Sequence, residues 1–298
     1  MDLWQHIAVR ISAASAERFE LETQQAVAGG CINQASRLKG RGGKHYFVKL
    51  NQAELLPMFE AEAESLQELA RADAIKVPAL VCSGAVCGRA FLVLEDLSLG
   101  GTGSMAVFGR QLAQMHRHTQ QQFGWCRDNT IGSTTQINTP ASGWIAFWRE
   151  QRLGFQLQLA AKNGAARSLI DKGEKLLGSF DSLFSHYQPV ASVLHGDLWS
   201  GNYAFTRQGE AVIFDPAVYY GDRETDLAMS ELFGGFSAAF YAAYEEAWPL
   251  DSGYAVRKTL YNLYHILNHF NLFGGGYAAQ AEGMIERLLA EIGVSPGA

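Results

Sequence analysis

Three oxygen-bearing side chains between residues 193 and 216 constrain this chain more than any other feature of its sequence. Asp197 and Asn202 are five positions apart in LHGDLWSGN, and Asp215 follows in VIFDP, thirteen positions after Asn202. Apolar residues alternate along the segment between them, which predicts a short hairpin that ends at Asp215. The fold must therefore hold these polar groups at the ends of apolar strands.

The order and spacing of these residues are those of the kinase catalytic loop H-R-D-x-x-x-x-N, with His195 in the place of its histidine. Phosphoryl transfer needs a base that orients a hydroxyl and hard oxygen ligands for magnesium. Asp197 is therefore the predicted base, and Asn202 and Asp215 are the predicted ligands that hold Mg²⁺ against the phosphates of ATP. The alternative is a turn whose aspartate caps a helix and whose asparagine closes a loop.

A lysine within a predicted strand offers the phosphate contact that the same chemistry requires. Lys49 lies in YFVKL with apolar neighbours on both sides, where an unpaired charge would be costly. At about 100° per residue, Glu62 falls on the apolar face of the predicted helix 57–71, whereas Glu60 and Glu64 point away. Glu62 is therefore the predicted partner. Alternatively, Lys49 extends from an edge strand and its charged end reaches solvent.

Two more segments are candidates for nucleotide binding. The turn that contains Gly29, Gly30 and Cys31 lies between predicted strands ahead of Lys49, and glycine lets backbone N–H groups approach phosphate oxygens. An ordinary hairpin turn is the alternative. Glu95 ends the apolar strand FLVLE at the predicted lobe boundary, where a hinge backbone can hydrogen-bond adenine.

These assignments favour an α+β chain with a bilobal, protein-kinase-like fold. Strand patterns in residues 21–50, 79–83 and 90–94 predict a small antiparallel sheet with one helix, in an N-terminal nucleotide-binding lobe of residues 1–97. Helical patterns dominate residues 98–298, the predicted catalytic and substrate-binding lobe. Residues 40–44 lack the Ser or Thr and the following helix of a Walker A loop, so we interpret them as a hairpin turn.

Composition and charge exclude several classes of protein. Hydrophobic residues make up 48% and charged residues 18% of the chain, which is typical of a folded soluble protein. The formal net charge of −6 and the lack of long basic runs argue against binding of nucleic acid. No apolar stretch approaches the roughly 18 residues of a membrane span, and the N-terminus has no signal-peptide pattern. We expect no membrane association and a cytoplasmic location.

Polar residues recur at helical spacing near the C-terminal end of the sequence. Asn262, His265, Asn268 and His269 lie in YNLYHILNHFNLFGG, an unusual pattern for a helix that faces a core, and they could line a polar cleft. A satisfied core histidine or a solvated face is the favoured interpretation of His265. Further upstream, Asp226 is predicted to brace the catalytic loop, although a helix N-terminal acid is the alternative.

Several longer segments resemble the fructosamine (ketosamine-3-) kinase family, and together they cover nearly the whole chain. The H-G-D-x-x-x-x-N motif with its downstream aspartate is shared with aminoglycoside phosphotransferases and choline-type kinases. The tryptophan after H-G-D-L, the D-N-T-I-G-S-T stretch and the N-H-F-N-L-F-G end are specific to the family. The segments that carry the resemblance are GGCINQ, YFVKL, FEAEAESL, GRQLAQMHRHT, FGWCRDNTIGST, WIAFWREQRLGFQLQLA, LHGDLWSGN, FDPAVYYGDRETDLAMSELFGGF and YNLYHILNHFNLFGGGY.

The resemblance implies a kinase that uses ATP and Mg²⁺ to phosphorylate the 3-hydroxyl of a ketosamine, the sugar adduct of a small-molecule or protein-bound amine. The phosphorylated adduct then falls apart, so the activity would reverse glycation. Trp199 would flank the sugar, because an aromatic face packs on the apolar face of a sugar ring; a core tryptophan is the alternative. Asn129 and His269 are further candidate substrate contacts. We expect a monomer or a weak dimer.

Two other functions stay open at this point. A kinase of the same fold could act on an aminoglycoside or choline, but a cationic aminoglycoside calls for an acidic cleft, whereas a sugar amine calls for Trp199 and neutral polar groups. A pseudokinase would bind nucleotide without transfer. The intact set of Asp197, Asn202, Asp215 and Lys49 argues against it.

Overall fold

The computed structural model describes residues 2–27 and 32–294, and the chain forms two compact units. The first comprises Met1–Ser104 together with Tyr203–Pro216, and the second comprises Met105–Asn202 and Ala217–Ala298. By its contacts, the segment Tyr203–Pro216 thus belongs with the first unit. The simple lobe boundary near residue 98 stays a prediction.

Five of the strands lie in the first third of the chain, and helices dominate its last 75 residues. The strands are β1 (Leu21–Val27), β2 (Gln34–Gly40), β3 (His45–Gln52), β4 (Leu80–Val86), β5 (Arg89–Glu95), β6 (Asn129–Ile131), β7 (Thr134–Gln136), β8 (Ser192–Leu194), β9 (Tyr203–Phe205), β10 (Ala211–Ile213) and β11 (Tyr219–Gly221). The α-helices are α1 (Leu3–Ser15), α2 (Leu56–Arg71), α3 (Met105–His116), α4 (Trp144–Phe147), α5 (Phe155–Lys162), α6 (Arg167–Leu177), α7 (Glu224–Leu232), α8 (Ala238–Ala247), α9 (Tyr254–Phe273) and α10 (Tyr277–Glu291). A π-helix covers Trp148–Gly154, and 3₁₀ turns cover Ala53–Leu55 and Phe180–Phe184.

The first unit contains a five-stranded antiparallel sheet in the order β1-β2-β3-β5-β4, which confirms the predicted sheet. The turn between β2 and β3 is closed by a hydrogen bond from the Gly40 N–H to the Lys44 carbonyl, so residues 40–44 form the expected hairpin turn. No helix of the described residues is long and apolar enough to cross a membrane.

Both faces of this sheet are covered by a helix, so the prediction of one helix in the first lobe was incomplete. On the central strand β5, Phe91 and Val93 pack with α1, whereas Ala90, Leu92 and Leu94 pack with α2. Successive residues of a strand point to opposite faces. An unbroken apolar run such as AFLVL therefore requires cover on both sides, and α1 provides the second.

The face that Lys49 occupies follows from the same alternation. Its neighbours on β3, Val48 and Leu50, belong to the core beneath α1. Lys49 must then point to the face that α2 covers, where Glu62 lies. The Tyr203–Pro216 segment adds an antiparallel β9–β10 hairpin to the same unit, and the Ile213 N–H donates to the Lys76 carbonyl at 3.0 Å.

In the second unit, α3 packs closely against α8 because Gly109 has no side chain. A Cβ at Gly109 would lie 2.2 Å from the carbonyl oxygen of Phe240 and 3.2 Å from the Tyr244 nitrogen. The short β8–β11 pair, with Leu194 opposite Tyr219, holds the chain on either side of the segment that carries Asp197.

We predict that Gly109→Ala lowers the free energy of unfolding by about 1–3 kcal/mol, because the added methyl group overpacks a helix contact made of backbone atoms. Thermal and urea unfolding measure the change. Gly42→Ala is the control, since a Cβ there meets nothing within 4 Å. Equal stability of the two variants would contradict the close approach of α3 and α8.

Candidate active site

In the first unit, Lys49 is buried between two carboxylates. Its Nζ lies 2.5 Å from Glu62 Oε1 and 2.6 Å from Asp215 Oδ1, and its side chain is 8% exposed. The pairing with Glu62 that helical periodicity predicted is therefore present. Asp215, the predicted metal ligand, is the second partner of the lysine.

The two carboxylates keep Lys49 charged. Burial alone would lower the pKa of Lys49, but the charges of Glu62 and Asp215 outweigh burial and raise this pKa above its ordinary value. A lysine that stays an ammonium in a buried position is suited to contact a polyanion. Its role toward phosphate stays a prediction.

Asp215 combines an unusual backbone with a partly exposed side chain. Its φ is 57°, in the left-handed region that aspartate tolerates better than most residues. It follows the β9–β10 hairpin, as the sequence predicted, and its side chain is 47% exposed. A carboxylate that contacts the buried lysine and yet reaches solvent has oxygen available for a hard cation.

In the second unit, the catalytic loop is fixed by a buried aspartate. The N–H groups of His195 and Gly196 donate to Asp226 Oδ2 and Oδ1 at 2.7 and 2.9 Å. Gly196 has a φ of 81°, and a Cβ there would lie 2.0 Å from the Ala217 carbonyl oxygen, so only glycine fits. The structure confirms that Asp226 braces this loop.

Asp226 is itself held by a chain of polar side chains that leads away from the loop. His116 Nε2 lies 3.2 Å from Asp226 Oδ2, and His116 Nδ1 lies 2.8 Å from the Tyr244 hydroxyl, to which Arg223 donates. Burial lowers the pKa of His116 despite the neighbouring Asp226. Burial would raise the pKa of Asp226, but its hydrogen bond with His116 helps to lower it overall. A neutral imidazole thus supports an ionised carboxylate.

Asn202 ties together the two ends of the catalytic loop. Its Nδ2 donates to the Asp197 carbonyl oxygen at 2.8 Å and to Asp197 Oδ2 at 3.0 Å, while its own N–H donates to the Trp199 carbonyl. Because the amide nitrogen serves the loop, the amide oxygen is the atom of Asn202 with the chemistry of a metal ligand. Mg²⁺ commonly takes one or two carboxylates, phosphate oxygens and waters, so Asn202 and Asp215 fit its preferences.

Three aromatic rings form a surface next to this loop, and we call them the aromatic patch. Trp199 is 37% exposed, and its ring covers Gly201, where a Cβ would lie 2.3 Å from the indole. The rings of Trp199 and Phe233 are 6.4 Å apart, and those of Phe233 and His269 are 5.0 Å apart. Trp199 is therefore not a core residue, and the structure brings two predicted substrate contacts, Trp199 and His269, to one patch.

Asn129 has a different environment from the other candidate substrate contacts. It is 6% exposed, its Nδ2 donates to the Val218 carbonyl at 2.8 Å, and its Oδ1 accepts from Gln136 and Asn138. These bonds hold the backbone two positions beyond Pro216. These hydrogen bonds support a structural role for Asn129. Its contact with substrate stays a prediction.

The remaining nucleotide candidates are less defined. The Glu95 N–H donates to the Ala79 carbonyl at 2.8 Å within the sheet, so a hinge contact to adenine would use another backbone atom. Gly29, Gly30 and Cys31 lie outside the described residues. All of these nucleotide roles stay predictions.

Comparisons with known proteins agree over nearly the whole chain. A family model described as fructosamine kinase matches residues 3–291. The chain belongs to the fructosamine kinase family. A protein named "Probable ketoamine kinase" from Synechocystis is 47% identical over 293 residues, covering 96% of this chain and 97% of its own. The chloroplastic protein-ribulosamine 3-kinase of Arabidopsis thaliana is 43% identical over 267 residues, 88% of this chain and 81% of that protein.

Solved structures place this fructosamine kinase family member within a wider fold. A crystal structure assigned as a fructosamine-3-kinase from Haemophilus somnus has a TM-score of 0.88 at 30% identity and covers 96% of this chain and 97% of its own. An ADP-bound aminoglycoside phosphotransferase has a TM-score of 0.66 at 11% identity, with 99% and 100% coverage, which shows the shared fold alone. The α+β, protein-kinase-like fold expected from the sequence is confirmed.

Two residues that support the site were not predicted from the sequence: His116, which contacts Asp226, and Phe233, which contacts Trp199 and His269. His116 and Phe233 lie in segments that carry the family resemblance, GRQLAQMHRHT and ELFGGF, but nothing in their spacing assigned them a role. His116 ends α3 and reaches Asp226 110 positions later in the chain. The signal in the sequence was a histidine at the end of an apolar helical stripe. Its partner, Asp226, can be identified only from the fold.

We predict that Asp226→Asn lowers kcat by about 10- to 100-fold, because one of the two loop N–H groups would face an amide NH₂ instead of an oxygen and the loop would shift. Steady-state kinetics measure the loss, and thermal unfolding checks that the variant is folded. Asp171→Asn is the control, since Asp171 is an exposed partner of Arg167 on α6. An unchanged kcat in Asp226→Asn would show that the brace is dispensable.

Buried His265 predicts a loss of stability in acid. Burial, with a smaller contribution from His269, lowers the pKa of His265 from its ordinary 6.5 to about 3. Between these values the unfolded chain binds a proton that the folded chain does not, so the free energy of unfolding falls as pH falls, by about 1.4 kcal/mol per pH unit.

We therefore expect that the unfolding free energy of His265→Gln depends less steeply on pH between 6.5 and about 4. The slope should be smaller by about 1.4 kcal/mol per pH unit, the contribution of one proton. Urea titrations across this range measure the slope. Because His116 has a pKa lowered in the same direction, some slope persists in the variant. Identical slopes in both proteins would contradict a neutral, buried His265.

Proposed function

We propose that the chain transfers the γ-phosphoryl group of ATP, with Mg²⁺, to the 3-hydroxyl of a ketosamine. The observation that carries this proposal is the loop in which Asp197 is held by Asn202, with the exposed Trp199 two residues further on. Membership of the fructosamine kinase family supports it. In their names, the relatives from Synechocystis and Arabidopsis are a ketoamine kinase and a ribulosamine 3-kinase.

Asp197 is the proposed base. Its carboxylate accepts the proton of the 3-hydroxyl as that oxygen forms a bond to the γ-phosphorus, while the bond from the γ-phosphorus to the β–γ bridging oxygen breaks and ADP leaves. The hydrogen bond from Asn202 Nδ2 orients the carboxylate. Because the loop backbone is fixed by Asp226, this orientation needs no rearrangement when substrate arrives.

Lys49, Asn202 and Asp215 are proposed to bind the nucleotide and its metal. Bound MgATP supplies the phosphoryl group and a cation that offsets its charge. Lys49 would contact phosphate oxygens through an ammonium that Glu62 positions. Asn202 and Asp215 would offer oxygen ligands to Mg²⁺, and Asp215 would exchange part of its contact with Lys49 for the cation.

The aromatic patch is the proposed sugar contact. Trp199 presents an exposed ring whose position is fixed by Gly201 and Phe233, so binding costs little further ordering. The apolar face of a sugar ring packs on such a surface and leaves its hydroxyls free for hydrogen bonds. His269 Nδ1 is bonded to the His265 carbonyl, which leaves Nε2 as the ring atom with donor or acceptor capacity toward a hydroxyl.

The proposal also specifies the nucleotide, the cation, the form of the acceptor and the state of the protein. We propose ATP rather than another nucleotide, Mg²⁺ rather than another divalent cation, and a ketosamine on either a small amine or a protein. A cytoplasmic location and a monomeric or weakly dimeric state also stay predictions. A hinge contact of Glu95 with adenine belongs to the same proposal.

We predict that the purified protein with Mg²⁺ consumes ATP in the presence of fructosyl-lysine or ribulosyl-lysine but not of choline or kanamycin. Asp197→Asn should lower kcat by about 10²- to 10⁴-fold, the usual contribution of a general base. A coupled ADP assay measures both. Turnover of choline or kanamycin would overturn the acceptor, and nucleotide binding without any turnover would favour a pseudokinase.

A further inference from the structure

A surface groove of the second unit lies between α9 and α10, away from the residues assigned to phosphoryl transfer. Its volume is about 460 Å³, within the range of ligand sites. Leu232, Ala279 and Met284 give it an apolar lining, and its polar lining residues are Lys258, Thr259, Asn262, Gln280 and Arg287. We call it the α9–α10 groove.

A glycine in the middle of a helix keeps this groove open. Gly283 lies within α10, and a Cβ built there meets nothing within 4 Å. Glycine in a helix interior costs about 0.5–1 kcal/mol relative to alanine. No neighbour among the described residues would clash with a side chain at position 283, so the packing of the chain gives no reason for glycine there. The close approach of a ligand backbone would give such a reason.

Asn262 on α9 offers this groove an amide with unused capacity. The residue is 7% exposed, and within the described part of the chain its buried Oδ1 has no hydrogen-bond partner. An unpaired buried polar atom costs about 1–3 kcal/mol. A side-chain amide has both a donor and an acceptor, which complement the C=O and N–H of a peptide bond. Gln280, exposed on the opposite wall, has the same chemistry.

The charge of the groove is positive, in a chain whose net charge is −6. Lys258 Nζ contacts Glu231 Oε2 at 2.6 Å, and Arg287 is exposed and has no ion pair among the described residues. On α10, Glu282 and Glu286 are engaged by Lys172, and the exposed Glu291 lies one helical turn beyond Arg287, outside the groove lining. The groove therefore favours a carboxylate.

Two segments that line the groove also reach the aromatic patch. Leu232 lines the groove, and the next residue is Phe233 of the patch. Tyr277 begins α10, and its ring lies 5.2 Å from that of His269. A substrate that places its sugar on Trp199 can therefore extend along α10 into the groove.

We propose that the α9–α10 groove binds the polypeptide that carries the ketosamine and favours an acidic residue near the modified lysine. This inference rests on the function proposed above. Asn262 and Gln280 hydrogen-bond the peptide backbone where Gly283 allows it to approach, and Arg287 pairs with the acidic side chain. A free inorganic anion would use Arg287 but has no need of the amides or of the open space at Gly283.

The test compares three substrates: fructosyl-lysine, and two short peptides in which a fructosyl-lysine is flanked by alanine or by glutamate. We expect the glutamate peptide to have the lowest KM. Gly283→Leu should lower its kcat/KM relative to that of fructosyl-lysine by about tenfold, equivalent to about 1.4 kcal/mol, through KM rather than kcat. Arg287→Gln should abolish the preference for glutamate over alanine.

Ala290→Leu is the matched control, because Ala290 is exposed on α10 two turns beyond Gly283 and outside the groove lining. Gly283→Leu should unfold at the same temperature as the wild type or higher, since leucine favours helix more than glycine does. An unaltered substrate ratio in Gly283→Leu, or a glutamate preference that survives Arg287→Gln, would overturn this inference alone. Failure to turn over any ketosamine would overturn the proposed function and the inference together.

Discussion

The buried carboxylate of Asp226 is the constraint on which the catalytic loop depends. It accepts hydrogen bonds from the N–H groups of His195 and Gly196 and from His116, so three donors compensate its charge. A buried charge is tolerable only with such compensation. The loop can therefore not move away without leaving this charge unpaired, and the position of Asp197 is fixed by that cost.

In the first unit, the buried charge that needs compensation is the cation of Lys49. Two carboxylates compensate it: Glu62 on α2 and Asp215 in the segment after β10. One carboxylate more than neutrality requires leaves a net negative charge at this place. A divalent cation near Asp215 would restore the balance. The ion pairs with Lys49 thus agree with the proposed binding of a metal ion at Asp215.

Sequence patterns predicted those parts of the site that depend on local periodicity. The choice of Glu62 over Glu60 and Glu64 needed only the helical repeat, and the hairpin before Asp215 needed only alternation and spacing. Apart from the brace by Asp226, the side-chain contacts between residues distant in sequence were not predicted. His116 was assigned no role, and Asn129 was a candidate substrate contact because the D-N-T-I-G-S-T stretch carries the family resemblance. Its amide proved to bind the Val218 carbonyl, 89 positions away.

The nine-residue helix α7 explains why the brace and the aromatic patch occur together. Its first turn contains Asp226 and also Glu224, which is bound by Arg257 of α9 at 2.8 and 2.9 Å. The chain just after its last turn carries Phe233, which contacts Trp199 and His269. Arg257 anchors α9 to the start of α7, and His269 lies twelve positions later in the same helix. The two helices therefore set the spacing between the loop that holds Asp197 and the aromatic patch.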